Sequence, residues 1–316
     1  MTGGKGFIIG NISDKIFELI TRGLALALLL LVVFMAAGIW WEAAPSIHRF
    51  GLSFLVSREW NPVVGLFGAL PYIFGTLVST VLAILLAGPL SLGAAIFLAE
   101  FAPLRLRNTI SFLVDILAAV PSIIYGLWGN FVLAPFLLQN AEPWLGRNFG
   151  FLPFFQGPSY GIGMLAAGVV LAIMISPVIT AVSREVLEIV PASQREAMLA
   201  MGATPWEVVR VAVLPYARKG IIGAFSLGLG KAIGETMAVT MVIGNRPDIS
   251  WSLFAPAHTM TSVIINEFTE AVEPLHIAAL IHIALLLFLV SLLVNILARL
   301  MIYQLGWRKD NGTFKL

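Results

Sequence analysis

The sequence predicts an all-α, polytopic membrane protein: six transmembrane helices with a helical loop projecting into the cytoplasm between the fourth and fifth. Three observations carry that expectation. Of the 316 residues 59% are hydrophobic and 11% charged, against about 45–50% and about 25% in an average soluble domain. Six apolar runs approach or exceed the about 20 residues that cross a bilayer as a helix. The basic residues gather on one side of the topology that those runs define.

The runs cover residues 24–41, 70–99, 108–138, 160–182, 221–245 and 276–303. The first is longer than the core of a secretory signal, and no small-x-small cleavage site follows Trp40 and Trp41, so it reads as a retained span. Trp40, Trp41 and Trp60 on one side, with Trp307 beyond the last run, fit anchors at the headgroup level. Trp60 fits an ordinary packed tryptophan equally well.

Six spans put both termini on the same side. Lys5, Lys15, Arg22, Arg105, Arg107, Arg184, Arg195, Arg210, Arg218, Lys219, Arg299, Arg308, Lys309 and Lys315 fall there, whereas Arg49, Arg58, Arg147 and Arg246 fall opposite. Basic loops stay in the cytoplasm, so both termini are expected inside. The outer loops are net acidic, through Asp248, Glu267, Glu270 and Glu273 among others. The chain thus divides into a cytoplasmic segment 1–23, a membrane domain 24–303 and a cytoplasmic tail 304–316.

Within the membrane domain, residues 183–220 are too polar for the bilayer. Ser193 and Glu196 have the spacing of a capping box and predict a helix start. Gly202 breaks that helix, and Thr204 followed by Pro205 predicts an N-cap and first position for the next. Met198, Met201, Trp206, Val209 and Val213 recur at helical spacing, which suits an amphipathic hairpin on the membrane surface as well as a docking element.

Chemistry is sparse. With no cysteine there is no disulfide, thiol catalysis or Cys-ligated metal, and no metal site is expected from the four scattered His. A net charge of +2 does not suggest nucleic acid. Gly230-Lys231 is followed by Ala232, and position 225 is Phe, so the phosphate-binding loop of an ATPase is lacking. No nucleophile and base stand together in the pattern of an enzyme.

Charges inside the runs are therefore the candidates for function. Lys231 and Glu235 stand near the middle of the fifth run, four apart and so on one face of a continuous helix, where they either pair as a packing device or line a pathway or gate. Gly230 and Gly234 beside them permit close helix approach. Asp115, early in the third run, either pairs with an inner basic residue or belongs to the pathway. Pro121 and Pro177 interrupt two runs and free backbone carbonyls. Pro121, Ser122 and Tyr125, with Trp128 near them, are candidates for lining a cavity.

The loop itself carries a specific pattern. Glu196-Ala197-Met198, three residues, Gly202, nine residues that begin with Ala203, then Ala212-Val213-Leu214-Pro215 resembles the EAA-x3-G-x9-I-x-LP loop of ABC-importer permeases. Met198 and Ala212 depart from the usual Ala and Ile. The Leu-Pro pair is expected to stop the second short helix. The resemblance implies a type I importer permease in a bacterial inner membrane. In it Glu196, Ala197, Gly202, Ala203, Leu214 and Pro215 would dock into a groove of a separate ATPase, which uses ATP and Mg.

Further stretches, among them Ala118-Ala-Val-Pro121-Ser122-Ile-Ile-Tyr125-Gly126 and Gly230-Lys-Ala-Ile-Gly234-Glu235-Thr236, are similar to permease subunits of phosphate importers along nearly the whole chain. That likeness implies a homologous second permease, an ATPase dimer and a periplasmic phosphate-binding protein as partners. Lys231 stands where Arg is expected. A permease for another oxyanion such as molybdate or sulfate, or an ion-coupled secondary transporter, are the alternatives. The loop motif has no purpose in the latter.

Overall fold

Lipid tails give an apolar helix no face to hide, so the first helix is free to be apolar all round. In the computed structural model, which describes the backbone of residues 5–310 and the side chains of residues 14–303, helix α1 (Lys5–Phe50) exposes most of its residues between Leu24 and Met35. Near its end it meets the chain again. Ala43 and Ser46 are buried, and the Ser46 hydroxyl lies 3.1 Å from Nδ1 of His282. The side chains of Lys5, Trp307, Arg308, Lys309 and Lys315 lie outside the described residues.

A short α2 (Ser53–Val56) leads to α3 (Leu70–Ile96), which has Pro71 as its second residue and ends in a π turn, Phe97–Phe101. Trp60, on the connection, is a packed residue. Its indole donates to Glu267 at 2.9 Å, and its ring meets Phe67 and Tyr72 edge-on.

The third expected span is two helices. Val120 and Pro121 are extended between α4 (Leu104–Ala119) and α5 (Ser122–Trp128). The ring of Pro121 disfavours helical backbone in the preceding residue. From α5 the chain stays helical through a π turn (Gly129–Leu133), α6 (Ala134–Phe136), a second π turn (Leu137–Ala141) and α7 (Glu142–Phe149).

Then follow α8 (Met164–Glu188), α9 (Ala192–Ala200), α10 (Pro205–Val208), a π turn (Val209–Val213), α11 (Leu214–Ile233), α12 (Met237–Thr240), α13 (Met260–Glu267) and α14 (Pro274–Asp310). Pro135, Pro143 and Pro215 each come two residues after a π turn. Proline lacks an N–H and clashes with the carbonyl four residues back, and the wider turn relieves both. Leu214-Pro215 is consequently not the expected stop: helix continues from Pro205 to Ile233.

Among the described residues five helical stretches are long and apolar enough to cross a bilayer: Asp14–Phe50, Leu70–Phe101, Ser122–Phe149, Met164–Glu188 and Pro274–Tyr303. The expected fifth span is missing from that set: α11 carries Arg218, Lys219 and Lys231, and it ends at Ile233, where the chain turns at Gly234 before the apolar residues that follow.

Helices α3 and α8 form the centre. A Cβ at Gly168 would run into Leu82, so the two backbones approach as only glycine allows. Around them Met174, Ile175, Ile179, Val170 and Val242 build one core. Phe54, Phe67, Tyr72, Met260, Leu280 and Ile283 build a second between α2, α13 and α14. A third joins Ala95, Leu187, Val190, Val208, Val213 and Ala217 where α3 and α8 end.

Candidate functional site

The α9–α10 hairpin sits beneath that third core. Pro191 is the N-cap of α9 and no side chain caps the helix, so the expected box between Ser193 and Glu196 does not form. The proline needs no capped N–H and already starts the helix, leaving Ser193 inside its first turn.

The turn behaves as its sequence predicts. Gly202 has φ +84°, a left-handed conformation that glycine adopts without steric penalty. Its amide donates to the Leu199 carbonyl and that of Ala203 to Met198. Thr204 then caps α10: Glu207 N–H donates to its hydroxyl, while the Glu207 carboxylate accepts from the Thr204 amide at 2.7 Å and from the Thr204 hydroxyl at 2.9 Å. Those two donors hold the Glu207 carboxyl below its ordinary pKa.

Two faces result. Met198, Ala203 and Leu214 pack against the third core. Glu196, Ala197, Gly202 and Pro215 are exposed, and so are Leu199 (52%), Met201 (75%) and Trp206 (55%). An apolar face around a fixed turn is suited to lie in a groove of another protein.

Two residues missed in the sequence hold the hairpin from behind. Arg195 reaches Glu100 in the π turn after α3, with Nη2 donating to Oε1 at 2.7 Å and Nε to Oε2 at 3.1 Å. It also donates to the carbonyls of Leu187 and Val190 at the end of α8. Its place directly before Glu196 is the signal the sequence offers, which its charge alone does not distinguish from that of any other basic loop residue.

At the other end of α11 the expected Lys231–Glu235 face is absent. Lys231 lies in the last helical turn, Gly234 is the C-cap, and Glu235 lies beyond it. Glycine at 230 and 234 and the threonine at 236 weaken helix there. Both charged residues are half-buried, and among the described residues neither forms an ion pair. Glu235 instead accepts from the Ala238 amide at 3.2 Å, and its carbonyl accepts from the Thr261 hydroxyl at 2.7 Å.

A cavity of about 370 Å³ adjoins this break, with Gly234, Thr236, Thr261 and Thr269 among its lining. Behind it is a buried polar cluster that sequence reading passed over as loop. His258 Nδ1 lies 2.6 Å from the Ser262 hydroxyl, Thr259 and Ser262 cap α13 reciprocally, and Met260 N–H donates to Thr76 at 2.9 Å. Burial presses the His258 pKa down to about 4, against the opposing backbone hydrogen bond with Thr259. Gly75 makes room for it, since a Cβ there would meet the His258 carbonyl oxygen.

Asp115 is exposed on α4, a helix without a buried residue, and makes no ion pair among the described residues. Of the two inner basic residues of α4, Arg105 and Arg107, the latter is engaged by Glu188. Pro121 caps α5, Ser122 is half-buried, and Tyr125 is buried with its hydroxyl donating to the Leu117 carbonyl at 2.8 Å. That carbonyl is the one four residues before Pro121. Tyr125 therefore joins the Val120 amide in satisfying the carbonyl that the proline leaves without its ordinary donor. The groove of about 460 Å³ nearby is lined by α3, α4 and α8, with Ser91, Val114, Leu117, Ser176 and Thr180 in its wall. No group of three His, Asp or Glu among the described residues could hold a metal ion.

Residues 91–303 match the family model described as "Binding-protein-dependent transport system inner membrane component". The chain is 46% identical over 301 residues to the phosphate transport system permease protein PstC of Mesorhizobium japonicum, covering 94% of this chain and 92% of that one. It is 44% identical to the protein of the same name from Xylella fastidiosa, covering 95% and 93%. Among solved structures it is similar to an inward-facing form of the MetNI methionine ABC transporter, with a TM-score of 0.58 and 20% identity, covering 78% of this chain and 99% of that one. At that identity the structure speaks for the fold.

Proposed function

Because the chain belongs to the binding-protein-dependent transport system inner membrane component family, we propose that it is the permease subunit of an ATP-driven importer that carries inorganic phosphate inward. The observation that carries this reading is near-full-length identity of 46% to a relative named for phosphate transport. The subunit is a multi-pass inner-membrane protein and performs no catalysis. ATP hydrolysis belongs to a separate subunit.

The finer reading adds partners and residues. A homologous second permease covers the exposed charge of Asp115 and completes the pathway. Two copies of an ATPase, using ATP and Mg, receive the α9–α10 hairpin, with Glu196, Ala197 and Gly202 at the contact and Ala203, Leu214 and Pro215 joining it to α11. A periplasmic phosphate-binding protein delivers the anion to the outer face. Lys231, close to the break at Gly234, offers a point charge to the passing anion, and Glu235 gates it. Both termini face the cytoplasm, and the membrane domain spans residues 24–303.

Uptake decides the substrate. Cells lacking their own phosphate permeases but supplied with this chain and its partners should accumulate labelled phosphate in an ATP-dependent manner, undiminished by excess molybdate or sulfate. Uptake abolished by either competitor would overturn the phosphate assignment and leave the oxyanion reading.

A further inference from the structure

The cytoplasmic ends of α3 and α8 are held by one side chain of the hairpin. Arg195 uses its planar fork for both Glu100 oxygens and places further donors on the Leu187 and Val190 carbonyls. Glu100 is 9% exposed and Arg195 22%, so this bidentate pair escapes most of the screening that makes surface ion pairs weak. The carbonyls where α8 ends lack the donors a continuing helix would supply, and although Leu187 still accepts from the Val190 amide, they are natural acceptors for a cation. Nearby Glu188 does not compete for Arg195, since Arg107 of α4 and Arg184 of α8 occupy it.

We propose that Arg195 is the positioning residue that makes α9 move together with α3 and α8, so that a displacement of the hairpin is delivered to the central pair of helices as well as along the chain into α11. This inference rests on the reading of α9 as the ATPase contact. Chain connectivity links α9 to α8 only through Ile189–Pro191, and Ile189 is exposed. The third core adds apolar contact, which resists separation but tolerates sliding. The Arg195 fork, with fixed directions to three separate acceptor groups, resists sliding.

The experiment uses the complete importer in proteoliposomes: both permeases, the ATPase and phosphate-loaded binding protein. In Arg195→Gln and Glu100→Gln the ATPase should stay in the complex, while stimulation of hydrolysis by the loaded binding protein and phosphate moved per ATP fall about tenfold or more. Arg195→Lys, which retains the charge but not the fork, should fall between Gln and wild type. Wild-type stimulation and phosphate per ATP in Arg195→Gln would overturn the proposal. So would loss of the ATPase from the complex in Gln and Lys variants alike, which would make Arg195 a docking or folding residue. Cross-linking from Leu199→Cys to the ATPase tests the underlying reading separately: its failure would remove the ATPase contact whatever Arg195 does.

Discussion

The Thr261 hydroxyl donates to the carbonyl of Glu235 at 2.7 Å, tying the second residue of α13 to the break that ends α11. The bond takes up a carbonyl that would be satisfied within the helix if α11 continued. It also fixes Glu235 away from the face it would share with Lys231.

Lys231 and Glu235 are therefore expected to act independently. In a double-mutant cycle on the thermal stability of the purified importer, Lys231→Met and Glu235→Gln should be additive within about 0.5 kcal/mol. Thr261→Val should leave the Glu235 carbonyl without its donor and lower stability by about 1–3 kcal/mol. A Lys231–Glu235 coupling of about 2 kcal/mol or more would show that the two charges pair after all.

The turn of the hairpin is predicted to be the sensitive point for ATPase association. At φ +84° a β-branched residue is strained, so Gly202→Val should disfavour the turn by about 1–2 kcal/mol. Asn, which tolerates this conformation, should do less harm. Copurified ATPase per permease measures both. Equal retention by Val and wild type would mean that the ATPase does not depend on this turn.

His258 gives a pH dependence with a definite sign. Its folded-state pKa of about 4 lies below the ordinary 6.5. As pH falls the unfolded chain takes the proton first, so the contribution of neutral His258 to stability is full above pH 6.5 and is lost progressively towards pH 4. Thermal unfolding in detergent at pH 7.5 and pH 5 should show a smaller pH effect in His258→Gln than in wild type. An unchanged difference would mean that His258 already takes a proton in the folded state.

Orientation is open to labelling, since the chain has no cysteine of its own. Glu270→Cys should react with an impermeant reagent from outside, and Thr204→Cys only after the membrane is opened. The reverse pattern would invert the topology.

Apolar runs located four of the six expected spans close to their helices, and the Glu196 to Pro215 pattern located the hairpin, because burial in lipid and a fixed turn both leave marks in composition. Backbone continuity leaves no such mark. Pro121 reads as an interruption and Gly234 as a small residue, yet in an apolar stretch nothing distinguishes a kink from an end. The i, i+4 pairing of Lys231 with Glu235 assumed a continuity that Gly234 removes. His258, Thr259, Thr261 and Ser262 fall between the fifth and sixth expected spans, where short polar residues look alike whether water or a neighbouring helix satisfies them. Arg195 looks in sequence like any other basic residue of the inner side, because its directional bonds depend on Glu100, 95 positions earlier.

A π turn holds one residue more than an α turn in the same rise, so each one amounts to a single-residue insertion absorbed without a loop. Removing one residue from Val209–Val213 would restore an ordinary turn and leave the helix beyond it in nearly the same orientation. The same deletion from an ordinary turn of α11 would instead turn Lys231 by about 100° towards a different neighbour although its immediate sequence was untouched. Alignments of related chains should accordingly admit one-residue gaps ahead of Pro135, Pro143 and Pro215, and each such gap dates the gain or loss of a turn rather than the repair of a loop.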